Sequence, residues 1–74
     1  MKGTAIQNNI RRLRFEANEM SQAALAERVG VTRQTLNAIE AAKYSPTLEL
    51  AFKIALVFGQ PLDAVFQYPA GSMS

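Results

Sequence analysis

Apolar residues recur along this chain at helical intervals, with polar punctuation between the runs. Ile6, Ile10, Leu13 and Ala17 stand at i, i+4, i+7 and i+11, which lays one apolar stripe along a first helix. Thr4 is placed to cap that helix and Asn18 to end it in a left-handed turn. Ser21 then caps a second, short helix whose inward residues are Leu25 and Val29 and whose stop is Gly30. A third helix starts from the Thr32 cap, turns Leu36 and Ile39 inward and runs to about Ala42. Pro46 biases Ser45 away from helix, and Thr47 caps a fourth helix from about Leu48 to Phe58. Gly59-Gln60-Pro61 ends it, leaving Leu62 to Phe66 for one more short turn. Val65-Phe66-Gln67-Tyr68 also alternates like a strand. As a strand it would need a partner, either Lys2 to Ala5 or the same segment of another chain.

Two of these connections carry architectural information. Only Gly30-Val31 and the Thr32 cap separate the second and third helices. That link is too short for antiparallel stacking and suits a sharp turn with a large crossing angle, the helix-turn-helix arrangement. The fourth helix is apolar around most of its circumference. Leu48, Ala51, Ile54, Ala55 and Phe58 cover one face, and Leu50, Phe52, Leu56 and Val57 extend it. Only Glu49 and Lys53, a favourable i, i+4 pair, break the apolar surface. A helix apolar nearly all round should be buried nearly all round, which in so small a chain calls for a second copy. The expected homodimer interface is Leu50, Phe52, Leu56 and Val57, joined by Phe66 and Tyr68.

Composition narrows the chemistry. With 74 residues there is room for one domain, and neither a cysteine nor a histidine is present. Disulfides, thiolate metal sites, the commonest metal ligand and the commonest general base are therefore all absent. No glycine-rich phosphate loop occurs, no nucleophile has a histidine beside it, and the carboxylates Glu16, Glu19, Glu27 and Glu40 read as solvated helix charges. The chain is not expected to be an enzyme or to use a cofactor or metal, and no small-molecule ligand is evident. The longest apolar run falls far short of the ~20 residues that span a bilayer, so no membrane partner is expected. The N-terminus lacks the apolar core of a signal peptide, and the expectation is a soluble, cytoplasmic protein. No internal repeat appears; residues 1–68 read as one domain and 69–74 as a polar tail. Charge is uneven. Seven basic against four acidic residues give residues 1–43 a net +3, while the remainder carries −1. Five of the eight basic residues are arginine, the side chain best suited to forked contacts with phosphate and guanine.

The segment Ser21-Gln-Ala-Ala-Leu-Ala-Glu-Arg-Val-Gly-Val-Thr-Arg-Gln-Thr-Leu-Asn-Ala-Ile-Glu40 resembles the helix-turn-helix of the Cro and phage-repressor (XRE) family. The likeness continues through Lys43-Tyr44-Ser45-Pro46-Thr47-Leu48-Glu49-Leu50-Ala51 to Phe66-Gln67-Tyr68 and covers about residues 6–68. It implies an all-α, five-helix, lambda-repressor-like DNA-binding domain, with a short terminal β segment left open. It also implies a homodimeric, sequence-specific regulator of double-stranded DNA, acting as a repressor at an inverted-repeat operator.

A recognition helix needs long or forked polar groups at its N-terminal end. Arg33 and Gln34 follow the Thr32 cap directly, and Asn37 lies one turn on along the same outward face. Thr32, Arg33, Gln34 and Asn37 are thus the expected base contacts. An ordinary solvated helix face is the competing reading of the same residues. Gln22 matches the family position that donates to a phosphate; Thr35, Lys43 and Tyr44 complete the expected phosphate contacts. The resemblance implies that Arg14 and Glu40 form a partly buried ion pair between the first helix and the end of the third. Departures are also visible. Ala41-Ala42 stands where the family usually has Asn-Gly, so the third helix is expected to run longer or to strain. Ala24 replaces the glutamate of a capping box, and the Asn18-Glu19 turn is one residue longer than in the phage repressors. Two other uses of such a fold stand beside repression: an antitoxin-like or protein-binding role, and activation as in restriction-modification controllers, for which Glu16 and Glu19 are the acidic candidates.

Overall fold

Five helices and one short sheet follow each other along the chain in a computed structural model that describes residues 3–69. They are β1 (Gln7–Asn8), α1 (Ile10–Glu16), α2 (Gln22–Val29), α3 (Arg33–Glu40), α4 (Leu48–Phe58), α5 (Leu62–Val65) and β2 (Phe66–Gln67). The domain is all-α with a two-stranded antiparallel sheet joining its ends. Residues 70–74 of the expected polar tail, and Lys2 of the expected strand partner, lie outside the described residues.

Each helix contributes to one core. Ile10 of α1, Leu25 of α2, Leu36 and Ile39 of α3, Ile54 of α4 and Val65 of α5 are the fully buried large side chains. At about 1.5–3 kcal/mol for each such side chain, this burial dominates the favourable side of folding. Helix α2 packs against both α3 and α4, and α4 against α5. No helix of the described residues is long and apolar enough to cross a membrane.

The caps form where the polar punctuation stands. Ser21 accepts from the Ala24 amide at 3.0 Å even without a capping-box glutamate, and Thr47 accepts from Leu50 at 3.1 Å. Gly30 and Gly59 end α2 and α4 in the left-handed region, at φ 78° and 63°. The longer turn after α1 uses two consecutive left-handed residues, Asn18 and Glu19 (φ 64° and 57°). Hydrogen bonds from Glu19 N to Phe15 O and from Met20 N to Arg14 O hold it. Helix α3 stops at Glu40, and Ala42 takes φ 59° in the place where glycine is usual.

Helix α1 departs from its expected start. It begins at Ile10, after Asn9 at the N-cap position without a side-chain cap bond, because Gln7 and Asn8 are drawn into pairing with Gln67 and Phe66. Ile6 therefore lies outside the helix, and Thr4 accepts only the nearby Ile6 amide at 3.2 Å. The strand partner of Phe66–Gln67 is Gln7–Asn8, two residues beyond the Lys2–Ala5 segment expected, and it belongs to the same chain. A side-chain gain accompanies this register. Asn8 donates to the Ile39 carbonyl at the end of α3 (3.0 Å) while its own oxygen accepts from Ile10 N (3.1 Å). Asn9 donates to Ala64 O at 3.0 Å, and Thr4 N reaches Ala42 O at 3.0 Å. Backbone groups at the start of α1 and at the ends of α3 and α5 (Ile10 N, Ile39 O and Ala64 O) gain side-chain partners in this way. The end of α3 is thereby tied to the N-terminal segment, which pairs in turn with Phe66–Gln67.

Candidate nucleic-acid interface

The interface is built on α3, whose two faces are chemically opposite. Leu36 and Ile39 are buried, and Arg33, Gln34 and Asn37 are exposed on the other side, where they line a shallow concavity of about 250 Å³. The Thr32 cap sets where this helix starts. Its hydroxyl oxygen accepts from Thr35 N at 3.1 Å and its hydroxyl donates to Thr35 Oγ1 at 3.0 Å. The capping geometry occupies Thr32, one of the expected base contacts, while Thr35 stands half-buried beside it.

Behind this face, side chains from three helices form one connected network. Arg14 of α1 grips Glu40 of α3 through two bonds, Nε to Oε2 at 2.7 Å and Nη2 to Oε1 at 3.0 Å. A third Arg14 bond, Nη1 to the Met20 carbonyl at 2.9 Å, closes the turn before α2. The side chains are only 15% and 9% exposed, so the pair is largely withdrawn from water. Gln22 of α2 continues the network. Its Nε2 donates to Glu40 Oε1 and to Asn37 Oδ1, both at 3.2 Å. Both amide hydrogens of Gln22 are thus directed at protein acceptors. A phosphate could take one of them only by displacing a partner.

A family model described as helix-turn-helix matches residues 10–65, from the first residue of α1 to the last of α5. The chain belongs to the Cro/C1-type (XRE) helix-turn-helix family. It is 49% identical over 51 residues to an uncharacterized HTH-type transcriptional regulator of Methanocaldococcus jannaschii, covering 69% of this chain and 77% of that one. One from Archaeoglobus fulgidus is 43% identical over 61 residues, 82% of this chain and 84% of the relative. One from Bacillus subtilis is 44% identical over 61 residues, 82% of this chain and 91% of the relative.

In this XRE-family chain α2 and α3 are the two helices of the motif, and α3 is the one whose outward end is polar. Lys43 and Tyr44 are exposed in the loop that follows it, and Lys43 N donates back to Ala38 O at 2.9 Å. Tyr44 borders a groove with Val31, Thr35 and Lys53. Arg12 faces solvent and meets Glu16 at 3.9 Å, a pair exposed enough to contribute little.

The residues expected at a homodimer seam divide into two groups. Leu50 is 8% exposed and belongs to the chain's own core, which corrects its placement at a seam. Val57 and Phe66 are half-buried and pack against that core. Phe52, Leu56 and Tyr68 are exposed. Leu48, grouped by spacing on one face with Ala51, Ile54 and Ala55, parts from them and is 68% exposed. The cause is the rotation of α4, which turns Leu50, Ala51, Ile54 and Ala55 inward. With apolar residues all round, its pattern named no unique inner face. The structure reveals a stripe at i, i+4 and i+8, Leu48, Phe52 and Leu56, running along its outer side. The spacing of those three was the available signal for Leu48. Beside the stripe, Ile6, Leu48, Ala51, Leu62, Phe66 and Tyr68 line an apolar groove of about 500 Å³.

Proposed function

We propose that this regulator is a homodimeric repressor that binds an inverted-repeat operator in double-stranded DNA through α3. The observation that carries the reading is the joint exposure of Arg33, Gln34 and Asn37 on the outer face of a helix whose other face is locked in the core. Arg33 has the fork for guanine O6 and N7, and Gln34 has the donor and acceptor for adenine N6 and N7. Lys43, Thr35 and Tyr44 flank this face as the groups for the phosphate backbone, which sets register without reading sequence.

The outer stripe of α4 supports self-association. Leu48, Phe52 and Leu56 leave a contiguous apolar ridge in water beside the groove edged by Tyr68. Covering that ridge with its two-fold copy removes it from solvent. Two α3 helices then meet successive major grooves about 34 Å apart, and the operator inherits the two-fold symmetry. Such a dimer occludes the DNA it covers.

Selection of sites from a random duplex library at near-physiological salt tests the reading, since affinities at low salt say little. The expected result is a two-fold symmetric consensus with half-sites one helical turn apart, bound by a dimer in sedimentation. An asymmetric single site refutes the dimer, and no enrichment refutes the DNA-binding role.

A further inference from the structure

We infer that Gln22 is a positioning residue that fixes which end of the Asn37 carboxamide faces DNA, so that Asn37 acts as a donor and selects guanine over adenine at its base pair. This rests on the DNA-binding reading above and deepens it. The inference follows a chain of hydrogen-bond polarity with one consistent solution. The Arg14 guanidinium only donates, and it forks onto both oxygens of Glu40 at 2.7 and 3.0 Å. Those carboxylate oxygens therefore turn acceptor lone pairs toward their remaining neighbour. That neighbour is the Gln22 carboxamide, which must present its NH₂ end; turned over, its oxygen would face the oxygen of Glu40. With Nε2 held at 3.2 Å from Glu40 Oε1, the second hydrogen of the same nitrogen points at Asn37. Asn37 must answer with an acceptor, and its Oδ1 sits 3.2 Å away.

The consequence lies on the outer side of α3. Asn37 Oδ1 is directed inward, toward Gln22, and Nδ2 is left to face the concavity it shares with Arg33 and Gln34. A free asparagine reads adenine with both ends of its carboxamide, the oxygen accepting from N6 and the nitrogen donating to N7. An asparagine whose oxygen is engaged loses half of that pairing. That oxygen is aimed away from the base, and the donors left facing outward match the adjacent N7 and O6 acceptors of guanine. The specificity at this position is set three links away, by an ion pair on the protein's inner side. Gln22 itself need not touch a base.

The test compares site selection by the wild-type chain, Asn37→Ala and Gln22→Met. Asn37→Ala relaxes the consensus at one base pair per half-site and so identifies the pair that Asn37 reads. At that pair the wild-type chain should prefer guanine over adenine. Gln22→Met keeps the length of the side chain and removes its hydrogen bonds, freeing the Asn37 carboxamide to turn over. The expected result is a fall of roughly tenfold in the guanine-to-adenine preference at that pair alone, within what one base-edge contact discriminates. A single cooperative melt and an unchanged helical spectrum show that Gln22→Met keeps the fold, although the lost bond to Glu40 lowers its melting temperature somewhat. The wild-type preference needs no Gln22 variant and stands as an independent measurement. Adenine preferred by the wild type overturns the inference, as does a Gln22→Met variant that weakens every sequence equally, the signature of a lost phosphate contact. Failure of Asn37→Ala to relax any pair also overturns it while leaving the DNA reading intact. Failure of the wild type to enrich any site overturns both.

Discussion

Replacing Arg14 with methionine asks how much of this domain's stability runs through the inner end of the network. Methionine keeps much of the aliphatic stem and removes the charge together with three donated hydrogen bonds. The Glu40 side chain is 9% exposed, so its carboxylate would be left with the Gln22 amide, and the Met20 carbonyl would lose its Arg14 donor. Removing one partner of a buried ion pair costs about 3–5 kcal/mol. Because the Arg14 side chain is 15% exposed and water reaches that edge, the expected loss lies at the low end, about 3 kcal/mol. Domains of this length have total stabilities of roughly 4–11 kcal/mol, so the loss is a large fraction of the whole. The melting temperature should fall by about 12–24 °C. Glu40→Met should cost a similar amount, because it strands the guanidinium instead. The double variant Arg14→Met with Glu40→Met should cost much less than the two single losses combined, since no buried charge is then left without a partner. Urea denaturation of the four proteins measures this, at one protein concentration because self-association adds to apparent stability. A single-variant loss below about 1 kcal/mol, the value of an exposed pair, would refute the reasoning. Additive single losses would refute it too.

Four further outcomes are expected. Arg33→Ala should lose about 1–3 kcal/mol on the best operator and relax its preference at one base pair, as read by equilibrium titration against single-base variants. Equal weakening on all sequences would make Arg33 a phosphate contact. Leu56 is 79% exposed, so Leu56→Lys should leave the monomer folded and shift sedimentation from dimer to monomer; an unaltered dimer removes this ridge from the interface. By contrast Leu50→Ala, in the core, should cost about 2–5 kcal/mol of unfolding free energy. Ala42→Gly should raise stability by about 0.5–1 kcal/mol in urea melts. It relieves the left-handed strain at φ 59° and returns part of the gain as unfolded-state entropy. A loss of stability would show that the Ala42 methyl contributes more than the backbone strain costs.

Local chemistry was legible along most of the chain. Ser21, Thr32 and Thr47 cap the helices they precede, and Gly30 and Gly59 end theirs, because caps and left-handed stops depend on residues within one turn. Leu25, Val29, Leu36 and Ile39 face inward for a similar reason, since a helix period with polar residues opposite leaves one burial solution. The exposed trio of α3 follows directly from that, being what the buried face leaves over. Where the pattern was ambiguous, it misled. Thr4 and Ile6 fit a helix by spacing, but the strand pairing of Gln7–Asn8 with Phe66–Gln67 reaches across nearly the whole chain and outweighs the local preference. Helix α4 offered apolar residues on every side, so its rotation was undetermined until α2 and α5 selected Leu50 and Ile54 for the inside.

What this sequence determined by itself is a set of five helices, their boundaries from α2 to α5 apart from the end of α3 (Glu40, where Ala42 was expected), the sharp link between α2 and α3, and the polar end of α3. These rest on interactions spanning a few residues, whose energies do not depend on the rest of the fold. Tertiary structure alone decided three other things: where α1 begins, which side of α4 stays in water, and how the Gln22 amide is turned. Each depends on groups distant in sequence meeting in space, such as Asn8 with Ile39 or Gln22 with Glu40. The direction of a hydrogen bond is a property of the pair, and spacing along one chain carries no record of it until folding brings the two partners within 3 Å or so of each other.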